Sequence, residues 1–126
     1  MNDNKDYLSV KQEHGSIQIS EEVIASIAAV AALEVEGVSG LSANLTADIA
    51  EKFGRKNLGK GVKVSFRENA IAIDCFVIAL YGYSVIDIAK NVQDRVKSAV
   101  ESMTGQPVRS INVEISGITL PKEPKK

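Results

Sequence analysis

The residues in this chain that could do chemistry are few and far apart. Gly54 to Lys60 spell G-x-x-x-x-G-K, the opening of a phosphate-cradling loop. Such a loop next needs Ser or Thr to hold magnesium, with a strand before it and a helix after it. Here Gly61 follows, the preceding segment reads as helix and the following one as strand, so a surface loop is the better reading. Gly37-Val38-Ser39-Gly40 spells G-x-x-G, the form in which KH-type domains clamp an RNA backbone. Its middle residues are not basic, and a helix stop followed by a turn accounts for it equally well. His14 is the only histidine and Cys75 the only cysteine; distant in sequence, they make no recognisable metal set or nucleophile–base pair. Cys75 reads as a small buried apolar residue, and a lone thiol, unable to form an internal disulfide, suits a reducing compartment. Asp74 interrupts an apolar run without an acidic partner at useful spacing, and reads as a residue paired across a sheet or facing solvent or an interface. The expectation is a protein that is not an enzyme, with no catalytic residue, no cofactor and no metal.

Charge is more informative than any motif. The formal net charge is -1, which favours no particular partner, and aromatic residues are too sparse for a base-stacking platform. The charges are nevertheless segregated. From Glu13 to Glu51 there are seven acidic residues and no Lys or Arg. From Lys52 to Arg67 there are six basic residues, Lys52, Arg55, Lys56, Lys60, Lys63 and Arg67, and no acid. A solvated loop and strand face explains this run. The functional alternatives are a docking patch for anionic head groups or an acidic partner, self-association between opposite patches, or RNA binding by the basic segment 52–67.

The elements that would position these groups centre on residues 71–103. Ile71 to Tyr81 is a strand with two apolar faces, one carrying Ile71, Ile73, Cys75, Val77 and Ala79, the other Ala72, Asp74, Phe76, Ile78 and Leu80. One layer of helices can cover only one face, so the Asp74, Phe76, Ile78 and Leu80 face is the expected interaction surface, with the Val77 face against the helices. A helix follows, capped by Ser84, with an apolar stripe from Val85 to Met103 and a stop at Gly105-Gln106-Pro107. Upstream, Ser16 to Ile19 reads as a short strand, and Ser20 caps an alanine-rich helix that ends near Gly37. Val38 to Gly61 is the least regular interior part, with a short helix from Thr46 through Phe53. Val62 to Arg67 is a half-buried strand, turned by Glu68-Asn69 into the central one, and Val108 to Ser116 is the last strand, with a bulge or end at Gly117.

The expected fold is α+β, a two-layer sandwich in β-α-β-β-α-β order, with two main helices on one face of a mainly antiparallel four-stranded sheet. Residues 1–14 read as a flexible arm, 15–120 as a single domain and 121–126 as a polar tail. No apolar run approaches the roughly 20 residues that span a bilayer, and the first residues are not a secretory signal.

Taken in order, several of these segments resemble the alkaline-shock-protein family of Gram-positive bacteria. They are Gly15 to Ile24, Glu36-Gly37-Val38, Gly61 to Val64, Ile73 to Ile78, Tyr81 to Val85, Asn91 to Lys97 and Ile111 to Ile118. The resemblance covers about residues 15–120. It implies an envelope stress-response protein of the cytoplasm, without enzyme activity. It also implies self-assembly, or docking on a membrane-anchored protein that carries a similar domain; without a spanning run, any contact with the membrane is expected to be peripheral or through a partner. The family's pattern carries over no catalytic residue.

Overall fold

The computed structural model describes residues 7–42 and 61–121. The expected short helix from Thr46 and the loop residues Lys52, Arg55, Lys56 and Lys60 lie outside the described residues.

Strand β5 (Ala70–Leu80) is the axis of the four-stranded sheet. Strand β4 (Val62–Arg67) pairs antiparallel with its first half, from Arg67↔Ala70 to Val62↔Cys75. Strand β3 (Val38–Leu41) pairs antiparallel with its second half, from Leu41↔Val77 to Val38↔Ala79. The two short strands thus share one edge of β5, end to end. Strand β6 (Val108–Thr119) runs parallel along the other edge. A strand flanked on both edges and apolar on both faces belongs at the centre of a sheet, which is where the residue pattern of β5 leads.

Helix α1 (Glu21–Leu33) and helix α2 (Val85–Thr104) pack on each other and on one face of this sheet. Both begin where the sequence says. The Ser20 hydroxyl accepts the Val23 N–H at 3.2 Å and the Ser84 hydroxyl accepts the Asp87 N–H at 3.2 Å, each satisfying an orphan donor of the first turn. Helix α2 ends at Gly105, whose φ of 71° is left-handed and whose N–H donates to the Glu101 carbonyl. The Glu101 carboxylate then accepts the Val108 N–H at 2.8 Å, tying the helix end to the start of β6. That backbone hydrogen bond, followed by the hydrogen bond from Lys97, holds the Glu101 carboxyl below its ordinary value.

The core forms between β5 residues Ile71, Ile73, Cys75, Val77 and Ala79 and the helix residues Ile24, Ala28, Ala31, Ile88, Val92, Val96 and Val100. The small alanines of α1 let it lie close to its neighbours. Met103, at the end of the expected apolar stripe of α2, is instead 70% exposed, at the rim of a hollow that it lines with Ile27 and Val30 of α1.

Three features differ from the sequence reading. Residues Tyr7–Gln12, inside the expected loose arm, form strand β1, which pairs antiparallel with β2 (Gly15–Ser20) as a separate two-stranded hairpin. Leu8 of β1 is fully buried in the common core, so one apolar contact anchors a segment whose composition is otherwise polar. The fourth strand of the main sheet is therefore β3, not residues 16–19. It was hidden because four residues, two of them Ser39 and Gly40, carry no periodic signal. Helix α1 stops at Leu33 rather than at Gly37, and Gly37, with φ 96°, serves the turn into β3.

Candidate functional site

The sheet face turned away from the helices is the candidate site. Its residues follow from the registers. Phases that put Ile71, Ile73, Cys75 and Val77 in the core put Ala72, Asp74, Phe76, Ile78 and Leu80 on the other side. Two rows on this face are polar. Lys63, Asp74 and Asn112 stand side by side on β4, β5 and β6, and Ser65, Ala72 and Ser110 form the next row. The Lys63 Nζ lies 3.0 Å from Asp74 Oδ2, and Asn112 Nδ2 donates to Asp74 Oδ1 at 2.9 Å. Asp74 therefore has the cross-sheet partners that its place in an apolar run demands. Lys63 is only 9% exposed and belongs to this pairing, so it is not a free surface cation.

The other half of the face is apolar. Ile78 and Leu80 are half-buried, whereas Phe76 is 8% exposed and already covered within the chain. Ile78 sits between two glycines in register, Gly40 of β3 and Gly117 of β6. Neither has a left-handed backbone. A Cβ added at Gly40 would meet no described atom within 4 Å, and one at Gly117 would only touch Ile78 at 4.0 Å. The result is an apolar ridge with a bare track of backbone on either side. A register shift between Val77 and Ile78 inserts an extra β6 residue just before Gly117, the bulge expected there.

The four residues expected to form the interaction surface thus share one face, but with unequal roles: Asp74 is engaged, Phe76 is buried, and Ile78 and Leu80 are half-buried. Of the expected basic patch, Lys63 and Arg67 lie on this same face of β4. Sequence reasoning missed the contribution of β6, namely Arg109, Ser110, Asn112 and Gly117. Their alternation was visible, but their partners on β5 depend on a parallel register that no local pattern reports.

The remaining chemical candidates have structural roles. Cys75 faces the helices and is fully buried; burial first, and the neighbouring Asp74 carboxylate second, push its thiol up to about 12. His14 sits in the turn of the β1–β2 hairpin. Gly37 of the G-x-x-G run faces Ile88, whose side chain would lie 2.9 Å from an added Cβ, so its place is a close packing contact. Among the described residues, no three His, Cys, Asp or Glu side chains form a metal-binding group, and no helix is long and apolar enough to cross a membrane.

Residues 9–120 match the model of the alkaline shock protein 23 family, which is described as having a cell envelope-related function. The chain belongs to that family. It is 36% identical over 119 residues to the protein YqhY of Bacillus subtilis, covering 90% of this chain and 88% of that one. It is 34% identical to YloU of the same organism, covering 88% and 94%. A stress response regulator gls24 homolog of Streptococcus pyogenes is 26% identical, covering 93% of this chain and 65% of that protein. Among solved structures, MamM CTD H264E-E289H aligns with a TM-score of 0.47 at 16% identity, covering 80% and 93%. The family is thus cell envelope-related, and its members include stress-response homologues of Gram-positive bacteria.

Proposed function

We propose that this chain is a non-enzymatic interaction module of the cell-envelope stress response, acting in the cytoplasm at the inner face of the membrane. It self-associates, and it docks on a membrane-anchored protein carrying a similar domain, through the apolar half of the open sheet face. The observation that carries this reading is the half-buried ridge of Ile78 and Leu80, with Ile78 between Gly40 and Gly117, on a face that no described helix covers. Apolar side chains left partly open on a sheet face suit a protein–protein contact. The family's cell envelope-related function supports the setting. Nucleic-acid binding by segment 52–67 has less support, because Lys63 is committed to Asp74.

The test is the solution mass over a range of concentrations by light scattering, for the wild-type chain and for Ile78→Glu and Leu80→Glu. Both positions are half-buried, so the variants should fold, and circular dichroism checks this. Self-association of the wild type, lost in both variants, is the expected result. A wild type that stays monomeric throughout, or variants that assemble normally, would reject self-association through this face.

A further inference from the structure

We propose that the polar half of the same sheet face is a binding site for the phosphate group of an anionic ligand. It is separate from the apolar ridge and goes beyond the reading above. A hollow of about 420 Å³ opens here, and the strand registers explain its shape. Its floor is Ala72, whose single methyl leaves space between the longer side chains of Lys63, Arg67 and Arg109. The hydroxyls of Ser65 and Ser110 flank that methyl in the same row. Lys63 and Asn112 close one end as the neighbouring row. Arg67, from the end of β4, and Arg109, from the start of β6, stand at the other end on opposite sides.

The charge balance favours an anion. Lys63 and Asp74 neutralise each other across the sheet and Arg109 faces Glu68, so Arg67 leaves the lining with one positive charge in excess. Asp74 has both oxygens occupied, one by Lys63 and one by Asn112, so it presents little uncompensated acceptor to a ligand. Among the described residues Arg109 forms an ion pair only with Glu68, at 3.7 Å, and both side chains are largely exposed. Such an exposed pair contributes little and yields readily to a ligand. Arg67 makes no ion pair among the described residues. Two guanidinium forks on opposite sides of a hydroxyl-lined floor match the planar, bidentate recognition of phosphate oxygens. The phosphate can belong to a soluble monoester or to a lipid head group.

Two probes separate these sources. Glycerol 3-phosphate is titrated calorimetrically, and phosphatidylglycerol vesicles are tested by co-sedimentation against phosphatidylcholine vesicles. Three variants are compared with the wild-type chain. Ala72→Leu fills the floor without changing charge, Arg67→Gln with Arg109→Gln removes the forks, and Lys90→Gln removes a remote charge from α2. Saturable binding to one probe is expected, weakened at least tenfold by Ala72→Leu and by the double arginine variant, and unchanged by Lys90→Gln. Binding to the monoester assigns a soluble ligand; binding to phosphatidylglycerol vesicles alone assigns a head group. Failure of both probes, or full binding by a folded Ala72→Leu chain, overturns the proposal. Neither result bears on self-association, which Ile78→Glu reads separately.

Discussion

Replacing Gly117 by alanine should make the folded chain more stable and weaken the self-association proposed above. The two effects have separate causes. Gly117 lies within β6, opposite Ile78, and its backbone is not in the left-handed region that favours glycine. Glycine inside a strand costs about 0.5–1 kcal/mol relative to alanine, through the freedom the unfolded chain loses. The new methyl would meet the Ile78 side chain at 4.0 Å, an ordinary contact that costs nothing. A gain of about 0.5–1 kcal/mol corresponds to a rise in Tm of roughly 2–5 °C for a chain of this size. The same methyl would raise the floor beside the Ile78 ridge. Forcing extra atoms into a fitted contact costs about 1–3 kcal/mol, which is roughly 5- to 150-fold in a dissociation constant. Gly40→Ala on the other side of Ile78 should behave alike, since an added Cβ there meets no described atom within 4 Å. Thermal unfolding monitored at low concentration gives the first quantity, and sedimentation equilibrium gives the second. A fall in Tm would mean that the glycine serves the chain's own fold. An unchanged dissociation constant, with Tm raised, would mean that no partner surface reaches the track.

Two further outcomes test the other layers of the structure. Ile73→Ala, at a fully buried position facing the helices, should cost about 2–5 kcal/mol in urea unfolding, and a smaller loss would show that the helix layer packs loosely over β5. Cys75 should make the fold sensitive to high pH. Because the folded state holds the thiol proton more tightly than the ordinary value of 9.0, its contribution is complete below about 9 and is lost as pH rises toward about 12. Three pH units at about 1.36 kcal/mol each make that loss on the order of 4 kcal/mol. Stability measured from pH 8 to 11 should therefore fall more steeply for the wild-type chain than for Cys75→Val, and parallel curves would contradict this.

Local rules reach a long way in this chain wherever one segment contains its own signal. Ser20 and Ser84 cap helices, Gly105 ends one, and the two-residue turn Glu68-Asn69 joins β4 to β5; each is set by groups a few residues apart. The paired faces of β5 were legible because every second residue repeats the pattern over eleven positions. Strand β3 was not, since its four residues acquire strand character only by pairing with Val77, Ile78 and Ala79. The β1 strand was hidden for a related reason. A polar composition outweighed Leu8, whose burial depends on where the hairpin lands.

What the residues alone determined is the strand–turn–helix core around β5, the family, and a sheet face turned away from α1 and α2. What only the tertiary structure decided is how that face is divided. The parallel pairing of β6 with β5 sets Asn112 beside Asp74 and Gly117 beside Ile78, and Lys63 then joins the first pair from β4. It splits one apolar-looking strand face into a polar hollow and a half-buried apolar ridge. Side-chain alternation tells which residues share a face of their own strand. Which neighbours they meet across the sheet is a matter of long-range register, and no spacing within a segment encodes it.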